Sequence, residues 1–280
     1  MPVSLITGCS SGIGLALAHA LRAAGHHVWA TARQPADVAQ LAAAGFSAQV
    51  LDVTDEQQCQ ALAARLTAEG KGLDVLVNNA GYGAMGPLLD QGDALLRRQF
   101  DANVVGLVGV TRALFPLLRK NRGVVVNIGS VSGVMVTPFA GAYCASKAAV
   151  HALSDALRME LAPFGVRVME VQPGAIATRF ADNASAAAEQ VIAEGSPWWP
   201  MRDGIRHRAR ASQNHPTPAA EVADRITQAL ARPDPPRLLR VGRGSRTLPL
   251  LAALVPKALL EWGLRRAFGL TKRNHSRDHS

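Results

Sequence analysis

Along the first 180 residues, hydrophobic positions follow two alternating patterns. Short apolar runs read as strands: "PVSLIT" (2–7), "HVWATA" (27–32), "FSAQVLDV" (46–53), the start of "LDVLVNNAG" (73–81), "GVVVNIGS" (123–130) and "VRVMEVQPG" (166–174). Between them lie longer stretches with apolar residues at helical spacing: 12–25, 35–45, 55–70, about 92–119 and 143–162. Pro35 near one start and Gly25, Gly45 and Gly70 at three ends punctuate those helices. Strands as apolar as "VVVNI" are suited to burial on both faces. The βα alternation therefore predicts one α/β domain, a doubly wound parallel sheet with helices on both faces. Right-handed crossovers gather the strand ends and their loops at one edge.

After residue 180 the pattern weakens. "ADNASAAAEQVIAEG" reads as a helix, "SPWWPMRDG" as an aromatic loop, "PAAEVADRITQALARPDPP" as a helix stopped by prolines, and "RLLRVG" as a last strand. "RTLPLLAALVPKALLEWGLRRAFGL" reads as a broken amphipathic helix before a polar end. The expected organisation is a body over 1–240, including a substrate-covering loop at 179–216, and a basic amphipathic extension at 241–280 of the same domain. The extension is expected to pack on the body or on a second subunit, with peripheral contact to an anionic membrane as the other reading.

Composition changes this picture in two places. The net charge of +9 is concentrated at one end: residues 1–200 carry 14 Lys/Arg and 15 Asp/Glu, residues 201–280 carry 16 and 6. No nucleic-acid-binding motif accompanies that basic tail, so no nucleic acid is expected as partner. Three cysteines without metal-type spacing suit reduced thiols in a cytoplasmic protein, with no metal site and no disulfide framework. No signal peptide is read at the N-terminus, and no apolar run of about 18 residues predicts a membrane-spanning helix.

Candidate chemistry sits on the strand ends. "TGCSSGIG" (7–14) places Gly8, Gly12 and Gly14 between the first strand and a helix, a turn whose free N–H groups suit a pyrophosphate. The second strand ends in Ala32 and Arg33 where an acidic residue would bind the ribose of NAD(H), so NADP(H) is expected over NAD(H). Ser10 and Ser11 offer further donors, and an ordinary surface arginine is the plain alternative. Asp52 either accepts from an adenine amino group or serves a helix start. "NNAG" (78–81) ties strand-end loops together or forms a mere turn.

"YCASK" (143–147) puts one of only two tyrosines one helical turn before one of only five lysines. A tyrosine is too weak an acid to act as a base at neutral pH, and a nearby ammonium is expected to lower its pKa. Ser130, with Ser132 as rival, is near enough in sequence to hold a substrate oxygen. Asn103, in an otherwise apolar helix, is a candidate anchor for a relay water; each of these is also readable as a satisfied polar group.

Together "TGCSSGIG", "LDV", "NNAG", Asn103, Ser130, "YCASK" and "PGAIAT" (173–178), in that order, resemble the short-chain dehydrogenase/reductase family. The turn, "ATAR" and the extension look most like its steroid 17-beta and retinol dehydrogenase branch. The resemblance implies a three-layer Rossmann fold of about seven strands and homodimers or homotetramers. It implies hydride exchange between NADP(H) and a small hydrophobic alcohol, ketone or aldehyde. Asn103, Ser130, Tyr143 and Lys147 match the family's catalytic tetrad. Cofactor contacts are implied for Gly8, Ser10, Ser11, Gly12, Ile13, Gly14, Arg33, Asp52, Val53, Asn79, Ala80 and Gly81. They are also implied for Tyr143, Lys147, Pro173, Gly174, Ile176 and Thr178. Phe180, Trp198, Trp199 and Met201 are expected to cover the substrate or simply to pack the loop. A non-catalytic NADP(H)-binding regulator is the rival class.

Overall fold

The computed structural model describes residues 1–271; the polar end of the expected extension, 272–280, lies outside them. Seven parallel strands form one sheet in the order β3-β2-β1-β4-β5-β6-β9. They are β1 (Val3–Ile6), β2 (His27–Ala32), β3 (Ser47–Val50), β4 (Val75–Asn78), β5 (Val124–Ile128), β6 (Arg167–Pro173) and β9 (Leu238–Val241). Strand order reverses between β1 and β4, which opens a crevice at the carboxyl ends of those strands.

Each central strand supplies both cores. Ile6 of β1 packs with α1 (Gly12–Ala23) and α9 (Ala219–Leu230), while Val3 and Leu5 face α3 (Glu56–Ala68) and α5 (Gly106–Asn121). Val124, Val126 and Ile128 of β5 join the first core and Val125 the second. A strand buried on both faces has no polar side to spend, which is why these runs lack alternation.

α4 (Asp93–Phe100) continues through a π-helical turn, Asp101–Val105, into α5. The combined helix is long and apolar enough to span a membrane, with a mean hydropathy of 1.3 in its most apolar window. Here Leu107, Val110, Leu114, Leu117 and Leu118 of its apolar face are buried in the domain, which marks a core helix.

Downstream the structure departs from the expected elements. The stretch read as an aromatic loop runs on into α8 (Arg202–Arg210), which packs on α7 (Phe180–Val191). α8 is mostly charged, so only Ile205, Arg208 and Ala209, spaced one helical turn apart, face inward. A two-residue parallel ladder, β7 (Ile176–Ala177) with β8 (Thr217–Pro218), joins the two ends of this region; strands so short carry no readable period. A third apolar cluster forms beneath it from Met85, Phe139, Tyr143, Cys144, Ile205 and Phe268.

The amphipathic end is split at Pro256 into α10 (Thr247–Leu254) and α11 (Lys257–Ala267). Leu264, Phe268 and Leu270 dock on the third cluster. Leu250, Leu251, Leu254, Leu259 and Trp262 stay exposed, so packing on the body accounts for only part of this segment.

Candidate active site

β1 ends in a turn that only glycine can build. Gly8 and Gly12 have φ of +72° and +60°, and a side chain on Gly14 would strike the Gly8 carbonyl and Asn79. The Asn79 amide donates to the Thr7 and Gly8 carbonyls at 2.9 Å each, stitching β4 to this turn. α1 then begins at Ser11 with no side-chain cap, which leaves its first N–H groups free to meet an anion. Arg33 stands exposed just beyond β2. An open glycine cradle, an uncapped helix start and a free cation fit a dinucleotide whose ribose carries a phosphate.

Other expected contacts take more than one part. Asp52 accepts from the Thr54 N–H and hydroxyl at 3.0 and 2.8 Å, and Asp55 is the residue that caps α3. Val53 packs where Gly106 lets α5 come close. Thr178 lies over Gly12, within 2.9 Å of where a side chain there would start. Arg179, which the sequence gave no reason to single out, donates to the Ser10 carbonyl at 3.1 Å. The Ile176 side chain is buried against Gly242. Gly174 is required by the Arg243 carbonyl packed against it.

The four tetrad candidates converge. α6 (Gly141–Leu161) carries Tyr143 and Lys147 on its inward face. Ser130, just past the end of β5, lies close enough to the Tyr143 hydroxyl to pull its pKa down, and it accepts from the Ser132 N–H at 3.1 Å. Lys147 Nζ donates to the Ile128 carbonyl at 2.7 Å. Asn103 sits in the π-helical turn, a device common at functional sites. Its amide accepts from the Tyr82 N–H at 3.1 Å and donates to the Tyr82 carbonyl and the Ser146 hydroxyl, both at 3.0 Å. Gly81 has no room for a side chain, with Asn103 Oδ1 at 2.8 Å and Lys147 Nζ at 3.9 Å from where its Cβ would stand.

The electrostatics correct one expectation. Tyr143 is pushed up to about 12, chiefly by burial and against the pull of Ser130. Lys147 does not lower it, because the ammonium is turned to the Ile128 carbonyl and is itself held at about 8 by burial. His151, one turn beyond, was not foreseen. Burial and the Lys147 charge hold it at about 4, so it is neutral at pH 7 and accepts from the Ser130 N–H at 3.4 Å. Phe180 closes the site from above, its ring centre 5.2 Å from that of Tyr143. Trp198 and Met201 pack at the border of the third cluster.

Residues 2–189 match the family model described as short chain dehydrogenase. A short-chain dehydrogenase from Streptomyces avermitilis is 34% identical, superposes with a TM-score of 0.79, and is matched over 97% of this chain and 98% of its own. One from Burkholderia phymatum, solved in complex with NAD, is 28% identical with a TM-score of 0.76 over 100% and 98% of the two chains. The NADPH-dependent 1-acyldihydroxyacetone phosphate reductase of Saccharomyces cerevisiae is 33% identical over 98% of this chain and 93% of its own. The chain belongs to the short-chain dehydrogenase family and is an oxidoreductase with a Rossmann-type fold.

Proposed function

We propose that this protein reversibly transfers a hydride between NADP(H) and a hydrophobic alcohol, ketone or aldehyde, with Tyr143 exchanging the proton. The observation that carries the reading is the buried Tyr143 phenol, with Ser130 at its hydroxyl and Lys147 one helical turn away, on the strand-end side that also carries the glycine turn. When bound, the nicotinamide supplies or accepts the hydride. The residues do the rest. Ser130 and the Tyr143 hydroxyl hold the carbonyl oxygen, and Tyr143 gives up its proton to the forming alkoxide. Only with its ammonium swung from the Ile128 carbonyl toward the phenol does Lys147 favour the phenolate that results. Asn103 has both ends of its amide committed, so its side chain holds the Tyr82 backbone and Ser146 rather than a relay water. A regulator without catalysis would have no use for this convergence.

The exposed Arg33 and the NADPH named for the yeast relative support NADP(H) over NAD(H). Replacing Arg33 by Asp is expected to lower the NADPH-to-NADH ratio of kcat/KM about tenfold to a hundredfold, the worth of one or two charge-assisted bonds. Paired initial rates with the two cofactors check it, and an unchanged ratio would remove Arg33 from the site.

Apolar Phe180, Phe139 and Ile205 above Tyr143 support a hydrophobic substrate, and steroids and retinoids belong in the first panel with other ketones and aldehydes. The exposed Leu254, Leu259 and Trp262 beside Lys257, Arg265 and Arg266 support peripheral contact with an anionic bilayer. Flotation with phosphatidylserine vesicles at low salt is expected to carry the protein upward and to fail for Trp262→Glu. A wild-type protein left at the bottom ends that reading. Three free, buried cysteines support a reducing cytoplasm, and the family resemblance supports a homodimer or homotetramer.

A further inference from the structure

α8 carries several arginines, and they are treated differently. Arg206 is at the surface, paired with Glu189 at 2.8 Å. Arg208 is turned inward and is only 8% exposed. Its Nε donates to Thr137 Oγ1 at 2.6 Å, and its guanidinium lies near the Tyr143 and Cys144 side chains. No ion pair within 4.0 Å involves Arg208 among the described residues. Among the described residues Nη1 and Nη2 meet no oxygen acceptor; besides Thr137, the guanidinium lies against the Cys144 thiol.

Such an arrangement is costly. A guanidinium does not shed its proton to escape burial, and removing it from water costs more than one bond to a threonine returns. If α8 only needed fastening to the 131–140 segment, a neutral donor would serve. The two unused nitrogens form a planar fork that matches the oxygens of a carboxylate or phosphate. That fork lies beside the tyrosine proposed to exchange the proton.

We propose that Arg208 receives an anionic group, a carboxylate or a phosphate monoester, that the substrate carries close to its reacting carbonyl. The inference rests on the hydride-transfer reading of Tyr143 and narrows it. Ile205 and Ala209, which flank Arg208 on the inward face of α8, belong to the apolar cluster of Met85, Phe139 and Tyr143, which suits a substrate whose remainder is hydrocarbon. The substrate is thus an amphiphile, a chain with an acid head near the ketone.

Two experiments separate this inference from the reading beneath it. The first compares a medium-chain 3-oxo acid with its methyl ester, and a long-chain hydroxyketone with its phosphate monoester, under NADPH. At least one anion is expected to exceed its neutral partner tenfold or more in kcat/KM. Arg208→Met should erase that preference through KM, sparing the neutral ketone, and Arg208→Lys should restore part of it. Thr137→Val, which removes the fastening bond and keeps the cation, should leave the preference standing. Equal use of anion and neutral partner by the wild type, or an equal loss on both in Arg208→Met, overturns the inference. The second needs no turnover: calorimetry of the NADP+-loaded protein with decyl phosphate and with decanol. Decyl phosphate is expected to bind at least tenfold more tightly, and Arg208→Met to abolish the difference. Equal binding overturns the anion site even if ketones are reduced. Preferential binding with no ketone reduced upholds the site and refutes the hydride-transfer reading instead.

Discussion

Tyr143→Phe is expected to fold, to bind NADPH with nearly unchanged affinity, and to reduce ketones about a hundredfold to ten-thousandfold more slowly. The ring that packs against Phe180 and Cys144 is kept, so the third cluster loses one hydroxyl and no volume. What disappears is the proton beside the Ser130 hydroxyl. Burial holds Tyr143 at about 12, so at neutral pH the phenol is protonated and ready to act as an acid in reduction. In the oxidative direction a phenolate is needed, so that rate should climb with pH while reduction does not. Initial rates in both directions, with NADPH fluorescence titration for binding, check the prediction. Turnover at the wild-type rate would assign the proton to another group.

Lys147→Met should separate stability from activity. Burial lowers Lys147 from 10.5 to about 8, so below pH 8 the folded protein holds an ammonium that the interior disfavours. The full penalty is on the order of 3 kcal/mol, offset by about 1 kcal/mol for the bond to the Ile128 carbonyl. The unfolded chain binds the proton more tightly than the folded one between pH 8 and 10.5. Native stability on this account is lowest below pH 8 and rises as the pH climbs to 10.5. The apolar variant is expected to melt at a higher temperature than the wild type at pH 7, with the gain fading by pH 10.5. Its turnover should fall about a hundredfold or more, because no cation remains to favour the phenolate. A lower melting temperature at pH 7 would mean that the ammonium is a net stabiliser.

The sequence made most of the fold legible because buried parallel strands and glycine-closed helices leave strong periodic signals. β2 was readable to its last residue, and Tyr143, Lys147 and Ser130 stood out by rarity and by their place at a strand end. What was missed lacks such a signal or has one that composition hides. α8 has only three inward residues, and one of them is an arginine, so its stripe reads as polar surface. The spacing of Ile205, Arg208 and Ala209 is the clue that was there to find. β7 and β8 are two residues each, and Arg179 acts through a single bond to a carbonyl. The state of Tyr143 depends on burial and on where the lysine points, which no spacing reveals.

The ladder between Ile176–Ala177 and Thr217–Pro218 has a consequence for how such proteins diversify. Everything from α7 to the end of α8 leaves the sheet and returns to it through that one clasp, backed by the Thr217 N–H on the Ala175 carbonyl at 2.9 Å. A segment whose two ends meet at one clasp can be exchanged as a cassette, provided the insert repacks on Met85, Phe139 and Tyr143. The phenol, the ammonium and the glycine turn lie outside it and would stay untouched by a graft, while Phe180 and Arg208 would travel with the insert. On the proposed reading, chemistry and choice of substrate would thus be inherited separately in this architecture, one by the sheet and the other by what hangs from the clasp.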